Sequence, residues 1–236
     1  VSFDQRDPST YTAAFDGVDR AYLVVPNGYL DITGYLFPLI RAAAERNIKV
    51  VLQSALGADA SEDTPYRQVE LFLERSGTAF AIIRPTFFAD NFHTHWIHGI
   101  KAQGVIAVPA EDGKTSFIDV RDIAASAAAM LRSDRFDGKA FNLTGPAPLT
   151  YREAADILSA ASGTSIRYQP IDDQTFIKHL TNGGLPADLA AFLASIYYPV
   201  RQGWVALVTG DVETLTGKAP RLLQTYAADH AAKFTN

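Results

Sequence analysis

Short apolar runs alternate with stretches of helical spacing through the first half of the chain. Ala21-Tyr22-Leu23-Val24-Val25 ends at Pro26-Asn27-Gly28, Val50-Val51-Leu52 at Gln53-Ser54, and Ala79-Phe80-Ala81-Ile82-Ile83 at Arg84-Pro85. Runs this short and this apolar predict strands buried on both faces, as in a parallel sheet. Pro85 has no amide hydrogen, so ladder pairing should weaken where the third run stops. Between the runs, Leu36, Leu39, Ile40 and Ala43 recur at helical spacing up to Arg46-Asn47. A second helix is expected from Thr64 to Arg75, stopped by Ser76-Gly77. Upstream, Val1-Ser2-Phe3 reads as the end of a strand. Asp7 is a candidate cap, Pro8 suits the first position of a helix running to Phe15, and Gly17 is its stop. Strand and helix in strict alternation imply crossover connections and an α/β fold on a parallel sheet.

Beyond Asn91 the rhythm loosens. Val105-Ile106-Ala107-Val108 predicts a short strand, Glu111-Asp112-Gly113-Lys114 a turn, and Ser116-Phe117-Ile118-Asp119-Val120 a strand or extended segment. An alanine-rich helix follows from Arg121 to Leu131, where small side chains allow close approach to a sheet. Ala140-Phe141-Asn142-Leu143 is a strand ending at Gly145-Pro146, and Thr150 with Glu153 forms a capping box for the next helix. Ile166-Arg167-Tyr168 is a short strand. The remainder reads as helical, broken at Asn182-Gly183-Gly184 and at Tyr198-Pro199, and is expected to pack on the sheet as a cap.

Composition narrows the class. The 236 residues are 47% hydrophobic and 20% charged, ordinary for a globular protein. A net charge of −5 gives no basic footprint for nucleic acid or an anionic membrane. With no cysteine, disulfides, thiolate catalysis and cysteine-ligated metals are excluded. No apolar run approaches the roughly 20 residues of a membrane span, and no signal peptide is expected from the opening residues given. A cytoplasmic protein is expected. The only methionine is Met130 and the chain begins at Val1, so either methionine was removed or an N-terminal portion lies outside this sequence.

Candidate chemistry gathers at the strand ends. The chain leaves the third run through Thr86, Phe87, Phe88 and Asn91, at a strand's carboxyl end, where open α/β sheets place their ligands. His93, His95 and His98 follow closely, and His95 and His98 at i, i+3 can share a helix face. Asp90 is the one carboxylate suitably near in sequence, so a metal site is not expected there and a substrate-lining role for His93 or Trp96 is. Ser54 with Tyr66 mimics a serine–tyrosine reductase pair, but the residue four after the tyrosine is Glu70, not lysine. Ser54 is expected to bond backbone or cofactor. Asp119 and Asp122 flank a helix start and are expected to cap it.

In order and spacing, these segments resemble the NmrA-like branch of the short-chain dehydrogenase/reductase superfamily, most closely its NAD(P)H:quinone oxidoreductase subgroup. Ala14-Phe15-Asp16-Gly17-Val18-Asp19 is similar to the segment before that family's fourth strand, and Val51-Leu52-Gln53-Ser54-Ala55 to its fifth. Ile83 to Asn91 resembles its R-P-x-F-F-x-x-N stretch, and Asp119-Val120-Arg121-Asp122-Ile123-Ala124 its D-V-A-D-I-A segment. The likeness runs from Val1 to at least Tyr168. It implies a Rossmann-like parallel sheet with helices on both faces. Residues 1–145 would form the NAD(P)-binding core, and 146–236 a mainly helical cap and substrate region. It further implies NADP, or NAD, as cofactor, flanked by Val25, Pro26, Asn27, Ser54, Pro85, Thr86 and Phe87. Phe88, Asn91, His93 and Trp96 would face the substrate. The implied activity is reduction of a small quinone-like or conjugated carbonyl compound. The alternative is a non-catalytic dinucleotide-sensing or partner-binding regulator. A small-molecule substrate is expected, nucleic acid and membrane are not, and homodimerisation is left open.

Two departures qualify the likeness. The family opens with a strand, a glycine-rich phosphate turn and a helix. No glycines here have that spacing, and Val1 aligns with the third strand, so the first strand–helix–strand unit, about 50 residues, is expected to be absent from this sequence. The run at Ala21 to Val25 would then sit at an apolar open edge prone to aggregate. A polypeptide of only these residues is expected to bind NADPH negligibly, lacking fixed donors for the phosphates. The second departure is Tyr66, which stands where typical relatives carry a lysine four residues before the glutamate that matches Glu70. A lysine there would hold the cofactor ribose and assist proton transfer, and a tyrosine carries no such charge at neutral pH. Tyr66 is the candidate catalytic donor to substrate, the alternative being a surface helix tyrosine.

Overall fold

The computed structural model describes residues 1–26 and 28–235. Asn27 lies outside the described residues. The elements in chain order are α1 (Tyr11–Ala14), β1 (Arg20–Leu23), α2 (Ile32–Ala44), β2 (Lys49–Gln53), α3 (Pro65–Glu74), β3 (Phe80–Pro85), α4 (Ile97–Gln103), β4 (Val105–Val108) and β5 (Lys114–Thr115). There follow α5 (Val120–Arg132), β6 (Lys139–Leu143), β7 (Leu149–Thr150), α6 (Tyr151–Ser162), β8 (Arg167–Pro170), α7 (Asp173–Asn182), α8 (Ala187–Ser195), α9 (Tyr198–Arg201), α10 (Asp211–Thr216), α11 (Leu223–Asp229) and α12 (Ala231–Phe234). They form two compact units. The first comprises Val1–Pro85, Ile123–Leu143 and Thr214–Gly217, the second Thr86–Asp122, Thr144–Glu213 and Lys218–Asn236. No helix among the described residues is long and apolar enough to cross a membrane.

The first unit holds the parallel sheet, in the order β1-β2-β3-β6. Ala21 pairs with Val50, Leu52 with Ile82, and Ile83 with Phe141, so the three apolar runs are neighbouring parallel strands. The helical repeat Leu36, Leu39, Ile40 and Ala43 on α2 is fully buried, and packs in one core with Val50, Leu52, Val69, Leu73 and Ile82. Each such leucine or isoleucine contributes about 1.5–3 kcal/mol on burial. Asp31 starts α2 by accepting from the Gly34 amide, and Thr64 starts α3 by accepting from Arg67. Asp7 caps a 3₁₀ turn at Pro8–Thr10 as expected, and Gly17 adopts φ +69° after α1. Two readings change. Residues 1–3 form no strand. The run from Ala21 is not buried on both faces: β1 has a single neighbour among the described strands, and Tyr22 and Val24 are 37% and 36% exposed.

The second unit is organised around aromatic rings. Tyr151, fully buried at the start of α6, contacts Phe117, Trp96, Tyr168 and Tyr197 at centroid distances of 5.2, 5.6, 5.7 and 6.1 Å. Strand β4 pairs with β8 in parallel and β5 with β7 antiparallel. The Thr150–Glu153 capping box is formed as expected. Residues 116–119 form no named strand: Ile118 makes an isolated bridge with Phe88, and Ser116 bonds Val205 and Gly145 one backbone group at a time. Gly145 allows this approach: a Cβ there would lie 1.9 Å from the Phe117 carbonyl oxygen. The expected break is found just before Tyr198-Pro199: α8 ends at Ser195 and α9 begins at Tyr198, with Pro199 in its first turn, where proline forfeits no helical hydrogen bond.

Candidate functional site

Parallel pairing brings the carboxyl ends of β1, β2 and β3 to one edge of the sheet, and sequence-predicted residues of the first unit follow those ends. Val25 is half-buried against the core, and Pro26 is exposed. Ser54 is buried, and its amide donates to the Ile83 carbonyl at 2.8 Å. Pro85 is the last paired residue of β3, opposite Leu143, and its carbonyl accepts from the Leu56 amide at 3.0 Å. The missing proline amide therefore ends the strand without loosening it.

Beneath this edge lies an ion cluster. Arg84, 7% exposed, donates from Nε and Nη2 to the two oxygens of Glu70 at 2.8 and 2.7 Å. Glu70 is fully buried and also accepts from Arg67 at 2.9 Å, while Arg67 reaches Glu74 at 2.8 Å. The third Arg84 nitrogen, Nη1, pairs with Asp59 in the turn before α3. Burial alone would raise the Glu70 carboxyl, but the hydrogen bonds from Arg84 and Arg67 outweigh it and hold the pKa below the ordinary value. Bidentate geometry suits guanidinium and carboxylate. The arginine of the R-P-x-F-F stretch is thus a bolt that fixes α3 and the 57–63 loop to β3. Its partner Glu70 is the residue four after Tyr66. Tyr66 itself is half-buried on α3 and packs against the hydrophobic core, and burial raises its phenol pKa, so it keeps its proton at neutral pH. A groove of about 650 Å³ between α2 and α3, lined by Phe37, Arg41, Phe72 and Arg75 among others, contains none of the predicted site residues.

The second unit opens with Thr86, whose buried Oγ1 has no hydrogen-bond partner among the described residues. A buried hydroxyl in that state is costly unless a ligand or water completes it, so Thr86 suits a polar group of a bound cofactor. Among the described residues no glycine-rich turn opens a helix, and none is assigned to a pyrophosphate. Phe87 is partly exposed with its ring 5.7 Å from Tyr197, and Phe88 is partly exposed with its backbone on Ile118. Neither is a fully buried core residue. Asn91 is half-buried and its carbonyl accepts from Trp96 at 3.0 Å. Trp96 packs edge-on to Phe92 and Tyr151 at 4.8 and 5.6 Å.

His93 does not stand with His95 and His98. Its Nδ1 is hydrogen-bonded to the Tyr226 hydroxyl, and its ring stacks on His230 at 4.7 Å. Burial, then the nearby His230, lowers its pKa, whereas burial raises that of Tyr226. Asp119 caps α5 by accepting from the Arg121 amide at 2.8 Å. Asp122 does not cap: its carboxylate takes the Arg221 amide at 2.7 Å and the Arg221 guanidinium, a stronger partner than solvated helix amides. Sequence reasoning missed Tyr226 and His230, which lie 133 or more residues from His93 with no local motif to mark them. It also missed the Arg84–Glu70 pair. The signal was there: an arginine inside an apolar strand requires a buried acid.

Comparison with known proteins adds three relatives. A family model for the NmrA-like family matches residues 1–200. An uncharacterized oxidoreductase, YesF, of Bacillus subtilis is 35% identical over 238 residues, covering 100% of this chain and 82% of its own. An NAD(P)H azoreductase of Xenophilus azovorans is 32% identical, covering 98% of this chain and 82% of its own. Among solved structures, the NADPH-dependent quinone oxidoreductase QOR2 of Escherichia coli complexed with NADPH superposes with a TM-score of 0.84 at 24% identity, over 97% of this chain and 82% of that one.

Proposed function

The chain belongs to the NmrA-like family, and on that basis we propose that it is an NAD(P)H-dependent oxidoreductase acting on a small quinone-like or conjugated carbonyl compound. The supporting observation is the stretch from Ile83 to Asn91. Its first half is bolted by Arg84 to Glu70, and its second half carries a buried, unpartnered hydroxyl at Thr86 and two partly exposed phenylalanines. Bound NAD(P)H supplies the hydride.

In this reading residues 1–145 carry the nucleotide and 146–236 serve the substrate, joined in that by the segment from Phe88 to Trp96. Val25, Pro26, Ser54 and Pro85 at the strand ends orient the cofactor, and Thr86 and Phe87 continue that wall along the chain. Asn27 belongs to it by sequence alone. Phe88 and Trp96 offer flat apolar faces to a conjugated ring and exclude water, while Asn91 and His93 supply polar contacts. Tyr66, kept protonated by burial, is the proposed proton donor to the reduced oxygen.

Steady-state oxidation of NADPH by the complete protein, measured against a panel of quinones, tests the activity. Quinone-dependent oxidation is expected, and none across the panel overturns it. Tyr66→Phe tests the donor separately. A kcat reduced by about 10²-fold or more, with the cofactor KM unchanged, fits general-acid catalysis. An unchanged kcat removes Tyr66 from the reaction and leaves the proton to solvent.

A further inference from the structure

Asp90 and His93 stand at opposite ends of one tight turn. The 3₁₀ segment Ala89–Phe92 contains Asp90, and His93 is its C-cap. In such a turn, side chains three residues apart lie one above the other. His230, the residue between α11 and α12, is brought to the same place from the end of the chain. One ligating atom from each of the three side chains lies within 4.8 Å of the other two. From this geometry we propose that Asp90, His93 and His230 bind a borderline divalent transition-metal ion, Zn²⁺ being the fitting case.

Two imidazoles and a carboxylate are a donor set that zinc accepts, at metal–ligand distances of about 2.0–2.2 Å. Ligand atoms on such an ion stand roughly 3.3–3.6 Å apart. All three residues are half-buried; the His93 and His230 rings, stacked at 4.7 Å and 22°, must rotate out of the stack for their in-plane lone pairs to converge on the ion.

The surroundings favour binding as well. Asp90 Oδ2 accepts from the Val120 amide at 3.0 Å, which orients the carboxylate and leaves Oδ1 free. His93 Nδ1 is occupied by the Tyr226 hydroxyl, so Nε2 is its ligating atom and in the metal-bound form His93 gives up its contact with substrate. A ligating histidine commonly has its second nitrogen held in this way, which fixes the ring. The neighbouring acids are already taken, since Asp119 and Asp229 both pair with Arg121. Lys233 is the cation that opposes binding. It is exposed, so water and salt screen it. An ion here would tie the segment after β3 to the C-terminal helices, joining positions 90 and 230 within one unit.

The test uses the complete protein stripped with a chelator, without cofactor or substrate, so that its outcome is independent of the oxidoreductase reading. Co²⁺ is titrated and followed by its visible absorption, and Zn²⁺ by calorimetry. One ion per chain is expected, with Zn²⁺ displacing Co²⁺ and excess Mg²⁺ failing to compete. His93→Gln and His230→Gln should each weaken binding about 100-fold or more, and Tyr226→Phe, which only positions a ligand, about tenfold. His98→Gln should leave affinity unchanged. Should His230→Gln fail to fold by circular dichroism, His230→Glu replaces it, keeps a ligand and should retain binding. Absence of stoichiometric Co²⁺ binding, or binding indifferent to both histidine variants, overturns the proposal.

Discussion

The two units are held by different means. The first is built mostly from one unbroken stretch, Val1–Pro85, and its core is largely aliphatic with a buried Arg84–Glu70 pair beneath the strand ends. The second is assembled from three separate stretches, and tilted and edge-on aromatic rings fill much of its interior. In the first unit both partners of a guanidinium–carboxylate pair are buried, whereas in the second the buried Asp119 and Asp122 meet arginines that remain partly exposed and the rings supply the shape. A buried ion pair is fragile to loss of one partner, and an aromatic cluster is fragile to loss of volume. The comparison predicts how each unit fails.

The largest effect is expected at Glu70. Glu70→Ala strands Arg84 in the interior without its bidentate partner and should cost about 3–5 kcal/mol in urea denaturation. A loss below about 1 kcal/mol would mean that Asp59 and water can satisfy the guanidinium, and the pair would not be the bolt described. Next comes Phe92→Ala in the second unit. Phe92 is fully buried between Trp96 and Phe117, and its removal should cost about 3 kcal/mol, the low end for such a cavity because half-exposed Trp96 can lean into the gap. A cost as small as that of a surface change would show the rings to be interchangeable filling.

Acid separates the two designs more finely. The folded pKa of Glu70 lies below its ordinary value, so its stabilisation is fully present above the unfolded pKa of about 4.3 and is lost as pH falls through the folded value. Wild-type stability should therefore fall more steeply than that of Glu70→Gln between about pH 5 and pH 3. Parallel acid profiles would remove Glu70 from the ledger of acid sensitivity. The smallest effect is at Thr150, whose side chain accepts from the Glu153 amide. Thr150→Ala should cost about 1 kcal/mol, and a neutral result would show that the ring cluster alone sets the start of α6.

The same contrast decides what was legible beforehand. Aliphatic periodicity is local information, so β1, β2, β3, α2 and α3 could be read within a few residues of their ends. The Thr150 box and the Asp7 cap are local too. Convergence of distant segments is not. Nothing near Tyr151 says that Phe117, Tyr168 and Tyr197 will surround it, and nothing near His93 points to His230. Pro199 marked its break correctly, because a proline that begins one helix stands just after the end of another. Asp122 misled: a carboxylate near a helix start serves the strongest donor within reach, here Arg221.

The central claim is that this chain transfers hydride from a nicotinamide. Single-turnover stopped flow tests it most directly, mixing the complete protein and NADPH with a quinone and repeating with NADPH deuterated at the transferred position. The account predicts quinone-dependent loss of the reduced nicotinamide, slowed by the deuterium. No loss beyond the protein-free control would contradict it.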